Sequence, residues 1–358
     1  MKQRDHSLDA IKGVGCILMI FAHAKVNLSE SIIFNTFSLI GTFAPVLFFA
    51  VSGITATFQS KKTSFSALVL FYTMFAVLGL SYNAIWQPLL WQNLLCDIPQ
   101  LIAISVITII FIEKYLHPQK YYYLLFSVAI FAVQYFLNTN TILSQLNFHR
   151  FIISSVSFAI IPWILMFFTG VFAYYINNQS NLAMGGIFLV ILSTIILGQQ
   201  DLYVEQKYNM SASYYLISQM VIFFSVYVFR SKKDLFKNPN NIVLYFGKNS
   251  LLFLYIHLII LKIFQGLNFR YALPVWLSTL VLTYILMKLS QSTNKYIEKY
   301  FHSIFIWIIM IVCICSVPLS QRLAVILTVE MLIGVLFANN YQSLSNIIKH
   351  KFSNPSSG

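Results

Sequence analysis

Charge is what this sequence has least of. Only 9% of its 358 residues are Asp, Glu, Lys or Arg, while 58% are hydrophobic. Few stretches can supply the polar face of a soluble helix, so lipid is the expected solvent. No Pro/Gly linker is long enough to separate domains, and neither a low-complexity tract nor a soluble repeat is present. That leaves no room for a separate soluble domain. Cysteine is scarce as well: Cys16, Cys96, Cys313 and Cys315 fall within or beside apolar segments, and the last two point to different sides of one helix. Neither a disulfide framework nor a zinc or other metal site is expected. Runs such as 221–228 and 304–312 lack the apolar/polar alternation of a transmembrane β-barrel, which excludes that architecture. Lys2 and Arg4 ahead of an apolar stretch imitate a secretory signal, but no small-residue cleavage site follows and the stretch carries Asp9, Lys12 and His23. It is expected to be a retained first helix.

What the sequence does have is apolar stretches long enough to cross a bilayer core, recurring from Ser7 to the Asn339-Asn340 pair. They predict an all-α, polytopic transmembrane helical bundle of about 10–12 helices. Residues 1–340 are expected to form one membrane domain and 341–358 a polar cytoplasmic tail, disordered from Phe352 onward. Two of the expected spans are 243–264 and 323–338. The net charge of +13 is explained by its distribution. With the N-terminus in the cytoplasm, fifteen Lys and Arg gather at inner joints, against five outside: Lys25, Arg150, Lys207, Arg270 and Arg322. This asymmetry predicts that both termini are cytoplasmic and requires no nucleic-acid partner. Trp86, Trp91 and Tyr121 to Tyr123 lie at expected membrane edges and read as an interfacial belt.

The first helix carries the unusual residues. Lys12 and His23 are eleven residues apart, which returns to nearly the same helix face about 16 Å further along the axis. Asp9 lies one turn before Lys12, where it can pair with it. Ionisable groups inside a membrane helix are costly, and they usually face a protein interior or a wet cavity. A structural reading also stands: Ser7 caps the helix, Asp9 favours its positive first turn, Lys12 snorkels to the headgroups and His23 sits at the outer interface.

The segment from Leu8-Asp9-Ala10-Ile11-Lys12 to Phe21-Ala22-His23 resembles the opening helix of the acyltransferase-3 family, a basic residue followed after ten residues by histidine. Phe48-Phe49-Ala50-Val51-Ser52-Gly53 is similar to that family's Phe-Phe-x-x-Ser-Gly. Gly247-Lys248-Asn249-Ser250 leading to Tyr255-Ile256-His257 is similar to its late Gly-x-x-Ser and Tyr-Leu-x-His motif, and Phe167-Phe168-Thr169-Gly170 resembles its Phe-x-x-Gly helix. The chain departs from the family at Lys61 and Lys62, where many members carry paired arginines. A lysine cannot reproduce a bidentate guanidinium contact.

The resemblance implies the standalone form of a membrane O-acyltransferase in the bacterial cytoplasmic membrane. Its donor would be acetyl-CoA and its acceptor a hydroxyl of a surface carbohydrate such as O-antigen, capsule or exopolysaccharide, possibly lipid-linked. His23 is then either the base that takes the hydroxyl proton or the residue that briefly carries the acyl group. Lys12 attracts donor phosphates or counters charge developing on the thioester, with Asp9 holding it. Lys61 and Lys62 are a second candidate donor contact. His257 orients His23, binds the acceptor or merely packs. Arg150, beside His149, binds an anionic sugar or anchors its helix. Ser52, with Gly53, is placed near the substrate, where close helix approach is the expected role; no Gly-x-Ser-x-Gly elbow marks it as a nucleophile. A saccharide transporter or flippase is the alternative, since buried Asp, Lys and His also suit proton coupling. It would be expected to show halves with matching broken helices, and the sequence displays none.

Overall fold

The computed structural model describes residues 5–23, 32–86, 95–138, 149–153, 157–198, 207–236, 238, 241–267, 272–320 and 322–353. Among them no strand occurs. The chain opens with α1 (His6–His23), α2 (Ile32–Gly41), α3 (Ala44–Ser60), α4 (Phe65–Leu78) and α5 (Leu80–Trp86). There follow α6 (Ile98–Phe111), α7 (Lys120–Asn138), the short α8 (His149–Ile152), α9 (Ile160–Tyr175), α10 (Asn178–Leu197) and α11 (Ala212–Ser231). The last part holds α12 (Ile242–Lys248), α13 (Ser250–Gly266), α14 (Ala272–Ile297), α15 (Ile304–Ser316) and α16 (Leu323–Ser353). Seven helical stretches of the described residues are long and apolar enough to cross a membrane, or up to nine if each of two sharply bent pairs counts as one span. The chain is a polytopic helical bundle, as its composition requires.

α1 runs through the middle of this bundle, packed against α3, α12, α2 and α13. Its N-cap is Asp5, whose carboxylate accepts from the Ser7 amide (3.0 Å) and hydroxyl (2.5 Å). The expected cap, Ser7, is therefore a donor to the true one. Glycines set how closely the neighbours approach. A Cβ on Gly13 would strike the Val243 carbonyl, and one on Gly247 would strike the Asp9 carbonyl. Backbone meets backbone between α1 and α12 at both points. Gly53 and Gly170 do the same for α3 and α9, each facing the other helix's main chain at Phe167 and Ala50. The glycines of three of the motifs thus act as contact points that let helices lie against one another.

Three features depart from the sequence reading. The expected span 243–264 is broken: α12 and α13 meet at 98°. Asn249 sits at the bend, where its side chain donates to the Tyr245 carbonyl (2.8 Å) and accepts from Gln291 (2.8 Å), so polar groups freed by the break find partners. The second bent pair joins 274–302 to 304–320 at 105°. Broken helices are therefore present. Finally, α16 does not end near residue 338 but continues to Ser353, through most of the segment assigned to a polar tail. Asn339 and Asn340, the expected end of the apolar stretches, are paired inside the bundle: Asn340 and Asn294 exchange bonds of 2.7 and 3.0 Å, and Asn339 donates to Ser290 (2.7 Å). Satisfied amides let the helix run on.

Candidate functional site

One cavity of about 1010 Å³ runs alongside α1 and is lined by both Lys12 and His23. The eleven-residue spacing therefore places a cation and an imidazole on a common wall. Asp9 is buried beneath Lys12, with its carboxylate 3.7 Å from Nζ and 3.9 Å from His6 Nδ1. Lys12 itself is 22% exposed, so its head reaches the cavity while its stem packs. Ser52 lines the same cavity from α3.

His257 is not among the lining residues. It is fully buried on α13, and its ring lies 5.5 Å from that of His23 and stacks on Phe253 at 5.3 Å. Its Nδ1 is 2.8 Å from the Phe253 carbonyl. A carbonyl only accepts, so Nδ1 carries the proton and Nε2 a lone pair. Nε2 is buried with no hydrogen-bond partner among the described residues. An acceptor nitrogen thus waits behind the cavity, beside His23.

The remaining candidates lie apart from this group. Lys61 and Lys62 occupy the exposed turn after α3, at the Lys12 end, and do not line the cavity. Arg150 lies in α8, and its side chain falls outside what is described. Among the described residues no group of His, Cys, Asp and Glu could hold a metal ion.

Several lining residues were not marked by their sequence context. Trp86 packs edge-on against His23 (5.3 Å between centroids) and lies under Lys262 Nζ at 5.1 Å. Its place at an expected membrane edge suggests an interfacial residue, yet it forms part of the wall next to the imidazole. Asp97, the N-cap of α6, also faces the cavity and accepts from the Ile98 amide at 2.7 Å. Loss of hydration pushes its carboxyl up to about 6, although that amide and the charge of Lys207 pull the other way. Lys207 in turn lies over Tyr208 at 4.7 Å and Phe158 at 5.8 Å, and all three line the cavity. The one acidic residue in the joint between α5 and α6 is a signal the sequence did offer. The rings and Lys207 come from distant segments that only folding brings together.

The His23 end therefore offers aromatic faces, one carboxyl, one amine and an imidazole. The Lys12 end offers cations and neutral donors. Residues 4–220 match the family model described as heparan-alpha-glucosaminide N-acetyltransferase, catalytic. The chain belongs to this family of membrane acetyltransferases. Its membership agrees with an acyl-transfer enzyme and not with the transporter alternative, despite the broken helices. The match is to the heparan-alpha-glucosaminide N-acetyltransferase family and not to the acyltransferase-3 family that the motifs resemble. It includes Asp9, Lys12, His23, Ser52 and Asp97, whereas His257 and α16 lie beyond it. No curated protein and no solved structure matches the chain.

Proposed function

We propose that this acetyltransferase moves an acetyl group from acetyl-CoA, bound at the Lys12 end of the cavity, to a carbohydrate bound at the His23 end. The observation that carries the proposal is the single cavity lined by both residues. It gives a cytoplasmic donor and an acceptor on the far side of a bacterial cytoplasmic membrane a shared space within the bundle.

In the reaction the acceptor's nucleophilic atom attacks the thioester carbonyl carbon, and His23 takes its proton as the new bond forms. The C–S bond then breaks, and the proton passes to the departing CoA thiolate. The lone pair on His257 Nε2 suits it to receive a hydrogen bond from His23, which would leave the opposite His23 nitrogen basic; His257 is thus a positioning residue. Lys12, about three helical turns from His23, draws the donor inward by its phosphates, and Asp9 fixes it. Trp86, Tyr208 and Phe158 offer apolar faces on which a sugar ring can rest, with Asp97 and Lys207 as polar partners. Ser52 adds a hydroxyl to the cavity wall. Lys61 and Lys62 lie outside the cavity near the Lys12 end and add positive charge where an acyl-CoA would approach. Arg150 is retained as a candidate contact for an anionic acceptor.

The motif resemblance favours a hydroxyl of O-antigen, capsule or exopolysaccharide as acceptor. The matched family's description names N-acetyl transfer to a glucosaminide, which favours the amine of an amino sugar. One imidazole can serve either nucleophile. Mass analysis of surface polysaccharide with and without the protein tests both. An added acetyl mass that mild alkali removes identifies an ester, and one that resists it identifies an amide. Identical polysaccharide masses in the two samples would contradict the proposal.

A further inference from the structure

The far end of the cavity is walled by a helix that lies outside the family match. Tyr341, Gln342, Ser345, Asn346 and Lys349 of α16 all line it. Their spacing (0, 1, 4, 5 and 8) places them on one helix face. The rest of the helix circumference carries Ser343, Leu344 and Ile348, all buried. α16 therefore turns a polar stripe toward the cavity in this half, with Gln342 and Asn346 also open to solvent. The Asn340–Asn294 and Asn339–Ser290 bonds anchor it on α14 just before the stripe begins.

Lys12 and Gln59 line the same cavity from α1 and α3. Tyr72 donates to Gln59 Oε1 at 2.7 Å, so the end of the amide left for a ligand is its NH₂ group, a donor. Among the described lining residues the only carboxylate is Asp97, at the His23 end. Asp9 already offsets part of the charge of Lys12. Lys349 is then the other cation facing this space, flanked by the amides of Gln342 and Asn346 and by the Ser345 hydroxyl. Two ammonium groups among neutral donors form a receptor for phosphate oxygens.

We infer that the α16 stripe, with Lys12 and Gln59, is the binding site for the phosphates of the acyl-CoA nucleotide, and that Lys349 is its principal charged contact. The inference rests on the acetyl-CoA donor reading above. It makes the final helix, not the Lys61-Lys62 turn, the element that selects the donor. An anionic lipid headgroup carries the same phosphate chemistry and is the competing source.

The test is equilibrium binding of CoA to the full-length protein in nanodiscs of neutral phosphatidylcholine. It compares wild type, Lys349→Ala, Lys349→Arg and the double variant Gln342→Ala/Asn346→Ala. Gln342 and Asn346 are exposed and their replacement leaves the packing intact. Losing one charge-assisted contact is expected to weaken CoA by about tenfold or more in Lys349→Ala. Lys349→Arg should recover most of that loss, the double variant should weaken binding as well, and 3′-dephospho-CoA should be less sensitive to Lys349→Ala than CoA is. CoA affinity unchanged in both alanine variants, with wild-type binding intact, overturns the α16 site and leaves the donor reading standing. Wild type that fails to bind CoA overturns the donor reading and the inference together. If Lys349→Ala alters retention of phosphatidylglycerol while CoA binding is unaffected, the stripe is a lipid site and the inference is wrong.

Discussion

At the residue scale, three ionisable groups at or behind the cavity wall each have a neighbour that defines what they can do. Asp9 holds Lys12, the Phe253 carbonyl sets the His257 tautomer, and the Ile98 amide holds Asp97. Asp97 allows a sign-definite prediction. Its folded-state value is raised from 3.8 to about 6, so the folded protein holds this proton more tightly than the unfolded chain. The resulting stabilisation is complete below the unfolded value and is lost as pH rises through about 6. Its ceiling is about 3 kcal/mol for a shift of this size, less whatever cavity water returns to the carboxylate. Asp97→Asn keeps the capping oxygen but cannot titrate. Thermal unfolding in detergent from pH 4 to 7.5 should show the wild type losing ground to Asp97→Asn as pH rises. A constant difference across that range would mean the carboxyl is hydrated like any surface acid.

At the scale of elements, much of the first helix was readable and much of the rest was not. The Lys12–His23 stripe followed from a helical period alone, because both residues belong to one continuous helix. The break at Asn249 did not: its apolar flanks look the same whether the helix continues or turns, and only the Gln291 amide from α14 distinguishes the two. The extent of α16 was missed for the same reason, since Asn339 and Asn340 look like the end of the apolar stretches until Asn294 and Ser290 are seen to bond them. Gly53 was legible as a close-approach residue, whereas Gly170 and Gly247 stood out only as members of motifs, and the partners of all three came from packing. Gly247→Ala should separate α12 from α1 at the Asp9 carbonyl, costing about 1–3 kcal/mol and displacing Lys12. Gly186→Ala on α10, where an added methyl meets nothing within 4 Å, should instead be neutral or stabilise by up to about 1 kcal/mol. Parallel melting curves of the two variants check this pair. Equal stability of the two would show that the α1–α12 contact yields readily.

At the scale of the whole molecule, composition was enough to identify a polytopic bundle, while the cavity emerged only from the packing of helices such as α1, α3, α4, α5, α6, α13 and α16 around it. Its polarity, with cations at one end and an imidazole among aromatic rings at the other, matches a donor and an acceptor that approach from opposite sides. The charge asymmetry predicts which side is which. Both termini are expected in the cytoplasm, so a tag at either end should be cleaved by protease only in inverted vesicles; cleavage at either terminus in intact spheroplasts would reverse the orientation.

The central claim is that acetyl transfer occurs in this cavity with His23 as the proton acceptor. Its most direct test is the rate of acetyl transfer from acetyl-CoA to the isolated acceptor by wild type, His23→Ala and His23→Gln at matched amounts of folded, membrane-inserted protein. Glutamine preserves size and some hydrogen bonding but cannot take up a proton near neutral pH. Both variants are therefore predicted to lose about 10²- to 10⁴-fold in rate. Near-normal transfer by His23→Gln would reduce His23 to a positioning role, and near-normal transfer by both variants would contradict the claim and move the chemistry to another residue, with His257 the first to examine.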